Sequence, residues 1–349
     1  QTRVVIVGQG NVALDCARIL TKSAQDGKDS LFHTDITQHS LSVLGNNDDD
    51  DSTSQPGVAV SIVGRRGHVQ GSFTIKELRE LTKMEANHDC RFVVRDNELD
   101  LGGSTPSSQV EVSDSRAKKR IDKLLRSVAT AEIDETESTT KNSIHIRYLW
   151  NPISFNADPT TNDDSQSSVK SVTFERTRLT GDPHAQKAVG TGEYTTLPAD
   201  LVLKSIGYKG RPLPGLDQLG VDGEESVFDE RRGVIRNVNG RVSGVERLYV
   251  SGWIKRGPSG IIGTNITDAR DTVASMMEDL PIVTSTKTNS NRSGRTGLLA
   301  LLNERGVQVV DWNSWREINR VETDPSRRRS DSQPREKLVS VDDMLDILN

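Results

Sequence analysis

The chain opens on a strand, a glycine-rich turn and a helix, and this stretch constrains its fold more than any other. Residues 4–7 form the β-branched run VVIV, which is typical of a strand buried in a parallel sheet. The GQGNVA that follows matches GxGxxA, and residues 13–20 (ALDCARIL) predict a helix. The first glycine of such a turn permits a sharp bend, the second lets backbone approach a pyrophosphate, and the alanine lets helix and strand pack closely. The flanking strand and helix favour dinucleotide binding over an ordinary glycine turn.

Length, net charge and cysteine content narrow the classes of protein to which this chain can belong. The 349 residues suffice for two ordinary domains, and the net charge of −5 argues against a general nucleic-acid binder. The only two cysteines, Cys16 and Cys90, form no CxxC, which excludes a disulfide framework and a thiol-relay reductase and indicates a reducing compartment. No apolar run approaches the roughly 18 residues of a membrane span, and no metal site is predicted.

Strand and helix patterns alternate along the chain, which predicts an α/β fold with a parallel sheet. Strands are predicted at 58–63, 144–149, 169–174, 200–206 and 248–251, and helices at 36–44, 74–84 and 265–280. The strands at 144–149 and 169–174 are expected to be antiparallel. Four polar segments predict surface loops or insertions: residues 46–57, 156–168, 284–297 and 323–336.

The end of the second strand indicates which dinucleotide is bound. An acidic residue there contacts the ribose 2′-hydroxyl of NAD, whereas an arginine accommodates the 2′-phosphate of NADP. This chain has Arg65 and Arg66, whose planar guanidinium groups suit a phosphate better than a hydroxyl. The alternative is an exposed loop pair without a ligand. NADP(H) is therefore favoured over NAD(H), and Glu77 is either a ribose ligand or an ordinary helix-surface carboxylate.

Residues 115–130 (SRAKKRIDKLLRSVAT) predict an amphipathic helix with a cationic face. At about 100° per residue, one face carries a stripe of basic side chains, and the opposite face carries Ile121, Leu124, Leu125 and Val128. The basic residues are Arg116, Lys119, Arg120, Lys123 and Arg126. A solvated helix face is the competing interpretation.

Three blocks resemble the mitochondrial NADPH–adrenodoxin (ferredoxin) reductases. They are GQGNVALDCARIL, IVGRRG with FTIKELREL, and the tryptophan block SGWIKRGPSGIIGTNITD. The family implies two Rossmann-like dinucleotide-binding domains of the glutathione-reductase type, one for FAD and one for NADPH. It also implies an activity in which NADPH reduces FAD, which then passes single electrons to a [2Fe–2S] ferredoxin, and a location at the mitochondrial matrix or the matrix face of the inner membrane.

The resemblance assigns candidate residues. Gln9, Gly10, Asn11 and Val12 match the pyrophosphate-side NADP loop, Arg65 and Arg66 the 2′-phosphate site, and Glu77 another NADP contact. The tryptophan block contributes a second set that would line the flavin, in which Gly260 would also lie against the nicotinamide: Trp253, Gly260, Ile261 and Ile262. The basic helix matches the region where the family docks its acidic ferredoxin, with Lys119 and Arg120 as leading contacts. No catalytic side chain is assigned, and a peripheral membrane contact is left open.

The sequence departs from the family at the flavin. The family begins with a GxGPAG fingerprint for FAD, which is absent here. The expected organisation is therefore an NADPH-binding domain over residues 1–215, complete with polar insertions, and the C-terminal part of an FAD domain over 216–349. The chain as given is expected to hold NADPH far better than FAD.

Two other classes of protein compete with the reductase. One is a non-catalytic NADP-binding module or remnant that cannot hold FAD. The other is an electron-transfer subunit linked to an amidotransferase, which usually carries cysteine clusters for iron–sulfur centres. The two scattered cysteines argue against the latter.

Overall fold

The computed structural model describes residues 2–27, 29–45, 57–84, 88, 90–130, 141–157, 168–219, 226–260, 262–285 and 293–348. The chain divides into two compact units, of which the first combines Gln1–Ile206 with Val310–Asn349 and the second is Gly207–Val309. The C-terminal segment thus belongs to the first unit. The assignment of residues 1–215 to NADPH and 216–349 to FAD remains a prediction.

Strands form four sheets in the described residues. The bounds are β1 (Thr2–Val7), β2 (Val58–Gly64), β3 (Cys90–Val94), β4 (Asn142–Tyr148), β5 (Trp150–Ala157), β6 (Val169–Thr180), β7 (Lys187–Pro198), β8 (Leu201–Lys204), β9 (Phe228–Asp229), β10 (Val234–Ile235), β11 (Asn237–Val238) and β12 (Arg241–Val242).

Helices connect the first four strands, and the remaining helices follow β12. They are α1 (Asn11–Thr21), α2 (Gln38–Gly45), α3 (Ile75–Leu81), α4 (Asp96–Gly103), α5 (Pro106–Asp114), α6 (Arg116–Val128), α7 (Trp253–Arg256), α8 (Ile262–Ser285), α9 (Gly294–Glu304), α10 (Trp312–Glu322) and α11 (Val341–Asp346). Short 3₁₀ turns lie at Leu31–His33, His68–Gln70, Leu216–Leu219 and Pro325–Arg327. Within the described ranges, none of the helices combines the length and the apolar character that crossing a membrane requires.

The predicted parallel sheet is confirmed and has the order β3-β4-β2-β1-β8. β1 is central: Val7 is in register with Val63 of β2 on one side and with Lys204 of β8 on the other. The antiparallel direction predicted for residues 144–149 is wrong, because β4 runs parallel to both β2 and β3. The reason is the helical crossover α4–α6, which returns the chain to the sheet in the same direction.

Alternating residues of β1 enter two different cores. Val4 and Ile6 pack with the apolar faces of α1, α3 and α6, whereas Val5 and Val7 pack with Val172 and Phe174 of β6. The second core lies against an antiparallel sheet of order β5-β6-β7. The first unit therefore has three layers, with helices on one face of the parallel sheet and the antiparallel sheet on the other. This explains why the VVIV run is apolar at every position.

Three other predictions need adjustment. The helix predicted for 74–84 is confirmed but ends at Leu81. The helix predicted for 265–280 is longer, since α8 is Ile262–Ser285. Residues 248–251 make an isolated bridge between Tyr249 and Arg241, not a named strand, so their apolar pattern serves the core of the second unit, where Val250 is buried.

The polar segment at 323–336 is the surface loop that its composition predicts, but two of its polar side chains anchor it to the fold. Gln333 is fully buried, and the Arg329 guanidinium donates to the carbonyl oxygens of Phe32, Thr34 and Ile36. Arg329 also pairs with Glu336 at 2.8 Å. Arg329 and Gln333 can be withdrawn from solvent because backbone groups and the Glu336 carboxylate satisfy their hydrogen bonds, which composition does not predict. The other three polar segments lie partly outside the described residues.

A stability prediction arises from His145 on β4. Burial, reinforced by Arg147, Arg95 and Arg91, lowers the pKa of His145 to about 4. The unfolded chain therefore binds more protons than the folded chain between the ordinary histidine pKa and about pH 4, and stability falls as the pH drops through that window. We expect a loss of about 2 kcal/mol between pH 7 and pH 4.5 from this residue.

Urea unfolding at both pH values, followed by circular dichroism, measures this loss, and His145→Gln should remove most of it. Glu111 does not obscure the result. Burial acts to raise its pKa, but hydrogen bonds from Lys118, Gln186 and the His184 backbone outweigh burial and hold the pKa at about 2. Its contribution is therefore lost only below pH 4.5. An equal loss in the wild type and in His145→Gln would contradict the prediction.

Candidate functional site

The glycine-rich turn leaves β1 at the carboxyl edge of the parallel sheet. Gly8 has φ of 129°, and a Cβ at this position would lie 2.1 Å from the carbonyl oxygen of Ser205, which follows β8. Only glycine fits there. The chain leaves β1 for β2 on one side and returns to β8 on the other, so this edge is a topological switch point. Open α/β sheets bind nucleotides in such crevices.

The four residues predicted for the pyrophosphate side lie together at the start of α1. Gly10 is the N-cap and provides no side-chain acceptor for the first-turn amides. Helix α1 has no acidic residue in its first turn, and the Val12 side chain is exposed. An uncapped, uncharged helix start that retains its partial positive charge is suited to a phosphate anion.

The side chains of Gln9 and Asn11 hold neighbouring loops in place. The Gln9 amide donates to the carbonyl oxygen of Arg147 at 2.9 Å, and its side chain covers Gly64, where a Cβ would clash with it. The Asn11 Oδ1 atom accepts from the backbone N–H of Thr74 at 2.7 Å. Because these side chains support the fold, an anion at this turn would be bound mainly by backbone N–H groups.

Glu77 lies in the first turn of α3, where TIKE has the spacing of a capping box. Thr74 accepts from the Glu77 N–H at 3.5 Å, but the Thr74 N–H donates to Asn11 and not to the Glu77 carboxylate. The carboxylate is thus not used by the cap. It is partly exposed on a helix whose start is bonded to the α1 turn.

Arg65 and Arg66 follow β2 directly, and both side chains are exposed. The backbone of their loop is held from two sides. The Arg65 carbonyl oxygen accepts from Thr177 Oγ1 at 2.7 Å, and the Arg66 carbonyl oxygen accepts from the Leu149 N–H at 3.2 Å. The structure therefore presents two guanidinium groups to solvent from a fixed loop at the same sheet edge as the glycine-rich turn.

The next turn of this loop is bonded to the basic helix. His68 is fully buried, and its Nε2 atom lies 2.8 Å from Asp122 Oδ1 on α6. The hydrogen bond from His68, aided by the charge of Arg126, holds the pKa of Asp122 below its ordinary value. Asp122 also pairs with Arg126 at 3.0 Å. The loop that carries Arg65 and Arg66, here called the arginine loop, is thus linked to α6 through the contact between His68 and Asp122.

Helix α6 has the amphipathic character that the sequence predicts. Ile121 and Leu125 are buried in the core. Four of the five basic residues are exposed and form no ion pair within the described part of the chain: Arg116, Lys119, Arg120 and Lys123. The exception is Arg126, which pairs with both Asp122 and Asp100. Arg126 is therefore less available to a partner than its position on the basic face of the helix predicts, because two carboxylates already pair with it.

The tryptophan block lies in the second unit. The Trp253 ring begins the short helix α7, is 53 % exposed and stacks on Tyr208 with ring centres 5.8 Å apart. Asp268 of α8 holds the start of α7 by accepting from the Gly252 N–H and from Ser251. Burial acts to raise the pKa of Asp268, but these hydrogen bonds and Lys255 outweigh it and keep the pKa below the ordinary value.

Two further candidates flank the start of α8. Gly260 has φ of 89°, and a Cβ there would lie 2.4 Å from the Thr264 hydroxyl. Ile262 is the first residue of α8 and is 88 % exposed. Ile261, the remaining predicted residue of this set, lies outside the described residues. Among the residues with described positions, no group of three His, Cys, Asp or Glu side chains is arranged to hold a metal ion.

Comparison with known proteins identifies the family. No family model matches the chain. The NADPH:adrenodoxin oxidoreductase, mitochondrial, of Arabidopsis thaliana is 38% identical over 98% of this chain and 65% of its own length. The NADPH-ferredoxin reductase FprA of Mycobacterium tuberculosis is 34% identical over 99% of this chain and 67% of its own length. The chain belongs to the NADPH:adrenodoxin (ferredoxin) oxidoreductase family.

A solved structure agrees with this membership in the oxidoreductase family. Mycobacterium tuberculosis FprA in complex with NADPH superimposes with a TM-score of 0.78 and 32% identity, covering 99% of this chain and 67% of that one. The α/β fold with a parallel sheet, predicted from sequence, is thus the fold of the family. The chain spans about two thirds of the length of the relatives that it matches.

Several residues that shape the site were not found from the sequence. Leu149, Thr177 and the pair His68–Asp122 contact the arginine loop or support it. Leu149 lies between β4 and β5, Thr177 on β6 and Asp122 on α6, all far along the chain from the arginine pair, whereas His68 closely follows that pair. The neighbouring RRGH could have drawn attention to His68, but no local pattern marks Thr177 or Leu149, because they act through backbone atoms of another element.

Proposed function

We propose that this chain binds NADPH at the carboxyl edge of its parallel sheet, within a flavin-dependent oxidoreductase that delivers electrons to a [2Fe–2S] ferredoxin. The observation that carries the proposal is the common location of two elements. The glycine turn with an uncapped helix start and the exposed Arg65–Arg66 pair follow adjacent parallel strands. One suits a pyrophosphate, and the other suits a 2′-phosphate.

Titration of the chain with NADP⁺ and NAD⁺ by calorimetry tests the nucleotide assignment. We expect NADP⁺ to bind roughly a hundredfold more tightly, because two charge-assisted contacts to the 2′-phosphate are absent with NAD⁺. Raising the ionic strength should weaken NADP⁺ binding more than NAD⁺ binding, since the additional contact is ionic. Equal affinities for the two nucleotides would contradict the assignment.

The flavin assignment rests on the tryptophan block. Trp253 and Ile262 are exposed apolar side chains, Gly260 leaves a backbone position without a side chain, and α8 begins at the same place. These features fit a flat, apolar ring system whose reduced form is stabilised by a helix N-terminus. FAD would supply the change from two-electron to one-electron transfer. Trp253, Gly260, Ile261 and Ile262 would hold it, with Asp268 fixing the position of Trp253.

Measuring flavin by absorbance separates the reductase from a non-catalytic NADP-binding module. A polypeptide of these 349 residues expressed by itself should purify with little flavin, whereas co-expression with the FAD-fingerprint segment of a family member should yield a yellow complex. A module that never binds flavin would stay colourless in both cases.

The partner surface is assigned to Arg116, Lys119, Arg120 and Lys123 of α6, with Arg126 at its edge. The first turns of this helix carry Arg116, Lys118 and Lys119 and no acidic residue. Cations at a helix N-terminus oppose the macrodipole, and each costs about 0.3–1 kcal/mol when little else compensates. Among the described residues, Lys118 is the one of these three that pairs with a carboxylate, the buried Glu111 at 2.5 Å. These cations reduce the stability of the helix, so their presence is better explained by binding than by folding. An acidic ferredoxin has the complementary charge.

We further propose a mitochondrial location, in line with the relatives whose names carry that location. Expression with a C-terminal tag, followed by fractionation of mitochondria into matrix and membrane, tests this. Recovery of the protein outside mitochondria would contradict it.

A further inference from the structure

The junction between β4 and β5 has a backbone conformation that needs an explanation. Leu149 has φ of 65°, in the left-handed region that side chains with a Cβ rarely adopt. Such a conformation costs about 1–2 kcal/mol and persists only where the surroundings impose it. Leu149 is buried, so contacts with the surrounding protein must hold it in this conformation. Strain of this kind is commonly found next to functional sites.

One buried carboxylate holds the residues on both sides of Leu149. Glu98 of α4 accepts from the Tyr148 N–H at 2.6 Å and from the Trp150 indole N–H at 3.0 Å. The Arg176 guanidinium lies over the Trp150 ring, 4.6 Å from its centre, and 3.6 Å from Glu98. This arrangement fixes the chain before and after Leu149 and so imposes its left-handed conformation.

The consequence of that conformation is a contact with the arginine loop. The Leu149 N–H donates to the Arg66 carbonyl oxygen at 3.2 Å, and the Leu149 carbonyl oxygen accepts from the Thr177 N–H at 2.9 Å. Thr177 then donates its hydroxyl to the Arg65 carbonyl oxygen at 2.7 Å. Thr177 is 5 % exposed and follows a register shift between β6 and β7 at Glu175 and Thr177. Bulges of this kind redirect side chains near sites.

We propose that Leu149 and Thr177 are positioning residues that determine the preference for NADPH over NADH. The proposal rests on the assignment of Arg65 and Arg66 to the 2′-phosphate. Both arginine side chains are exposed, so their own surroundings do little to restrict them. Fixing the two carbonyl oxygens fixes the backbone from which both guanidinium groups extend. The loss of conformational entropy on phosphate binding is thereby reduced.

Thr177→Val tests the role of the hydroxyl, because valine keeps the shape and removes the donor. We expect NADP⁺ binding to weaken roughly tenfold and NAD⁺ binding to change less than about twofold. Thr177→Ser keeps the hydroxyl and should retain most of the preference. Thr173→Val is the matched control: it removes a hydroxyl from the same strand that contacts Thr196 and Asn156 and should change neither affinity.

A double-mutant cycle distinguishes positioning from a structural role. In the Arg65→Ala/Arg66→Ala background, Thr177→Val should have no further effect on NADP⁺ binding, since Thr177 acts through those arginines. Additive effects, or equal weakening of NADP⁺ and NAD⁺, would overturn the inference. Should Thr177→Val not fold, as judged by circular dichroism, Thr177→Ala replaces it in the same cycle.

The same experiment separates this inference from the proposed function. If Arg65→Ala/Arg66→Ala leaves the preference for NADP⁺ intact, the nucleotide assignment itself fails. If that variant loses the preference while Thr177→Val keeps it, the arginines bind the phosphate and the positioning role alone is wrong.

Discussion

Replacing Arg65 and Arg66 together by alanine is expected to remove most of the preference for NADPH over NADH. Both side chains are exposed at the carboxyl edge of the sheet, directly after β2. Two charge-assisted contacts to a phosphate together contribute roughly 3 kcal/mol or more, which corresponds to a factor above about a hundred in affinity. Affinity for NADH should hardly change. Titration of both nucleotides into the wild type and the variant measures the effect.

The chain contains its own control for this experiment. Arg231 and Arg232 also form an exposed Arg-Arg-Gly sequence, but in a turn of the second unit and not after a strand of the parallel sheet. Arg231→Ala/Arg232→Ala changes the net charge by the same amount and should leave both affinities unchanged. If the two variants weaken NADPH binding equally, the effect comes from overall charge, and a specific site at Arg65 and Arg66 is ruled out.

Reversing the charge of Lys119 and Arg120 is expected to slow electron delivery to a [2Fe–2S] ferredoxin by roughly ten- to a hundredfold at low ionic strength. The two residues lie on the exposed face of α6, opposite the buried Ile121 and Leu125. Complementary charge mainly accelerates encounter, so the salt dependence of the reaction should shrink as well. Stopped-flow or steady-state assays of the flavin-loaded enzyme with ferredoxin, over a range of salt, measure both quantities.

Two controls separate docking from folding and from catalysis. Ferricyanide needs no docking surface, so its NADPH-dependent reduction should be spared. Lys119→Glu/Arg120→Glu should not destabilise the protein, because acidic residues near a helix N-terminus interact favourably with the macrodipole. Arg231→Glu/Arg232→Glu has the same change in net charge and should not slow ferredoxin reduction. Equal losses with ferredoxin and ferricyanide would show that the helix is structural or close to the cofactor.

Local sequence was sufficient where a segment's own residues decide its structure. The run VVIV, the GxGxxA turn and helix α1 were predicted correctly because burial on two faces and the tight turn each leave a direct pattern. The same holds for α6, whose apolar and basic faces follow helical spacing. Strand direction was not predictable in this way. The residues of β4 have the same pattern in either direction, and it is the crossover through α4–α6 that makes β4 parallel.

The sequence by itself determined the fold class, the family and the chemical types of the candidate ligands, because glycine, arginine and apolar spacing act locally. Only the tertiary structure decided what fixes those residues. Gly8 must be glycine because Ser205, nearly two hundred residues away, lies against it. The direction of the arginine loop depends on hydrogen bonds from Leu149 and Thr177 to backbone carbonyl oxygens. Every residue has a backbone carbonyl, so the residue type at these positions does not indicate that the contact will form.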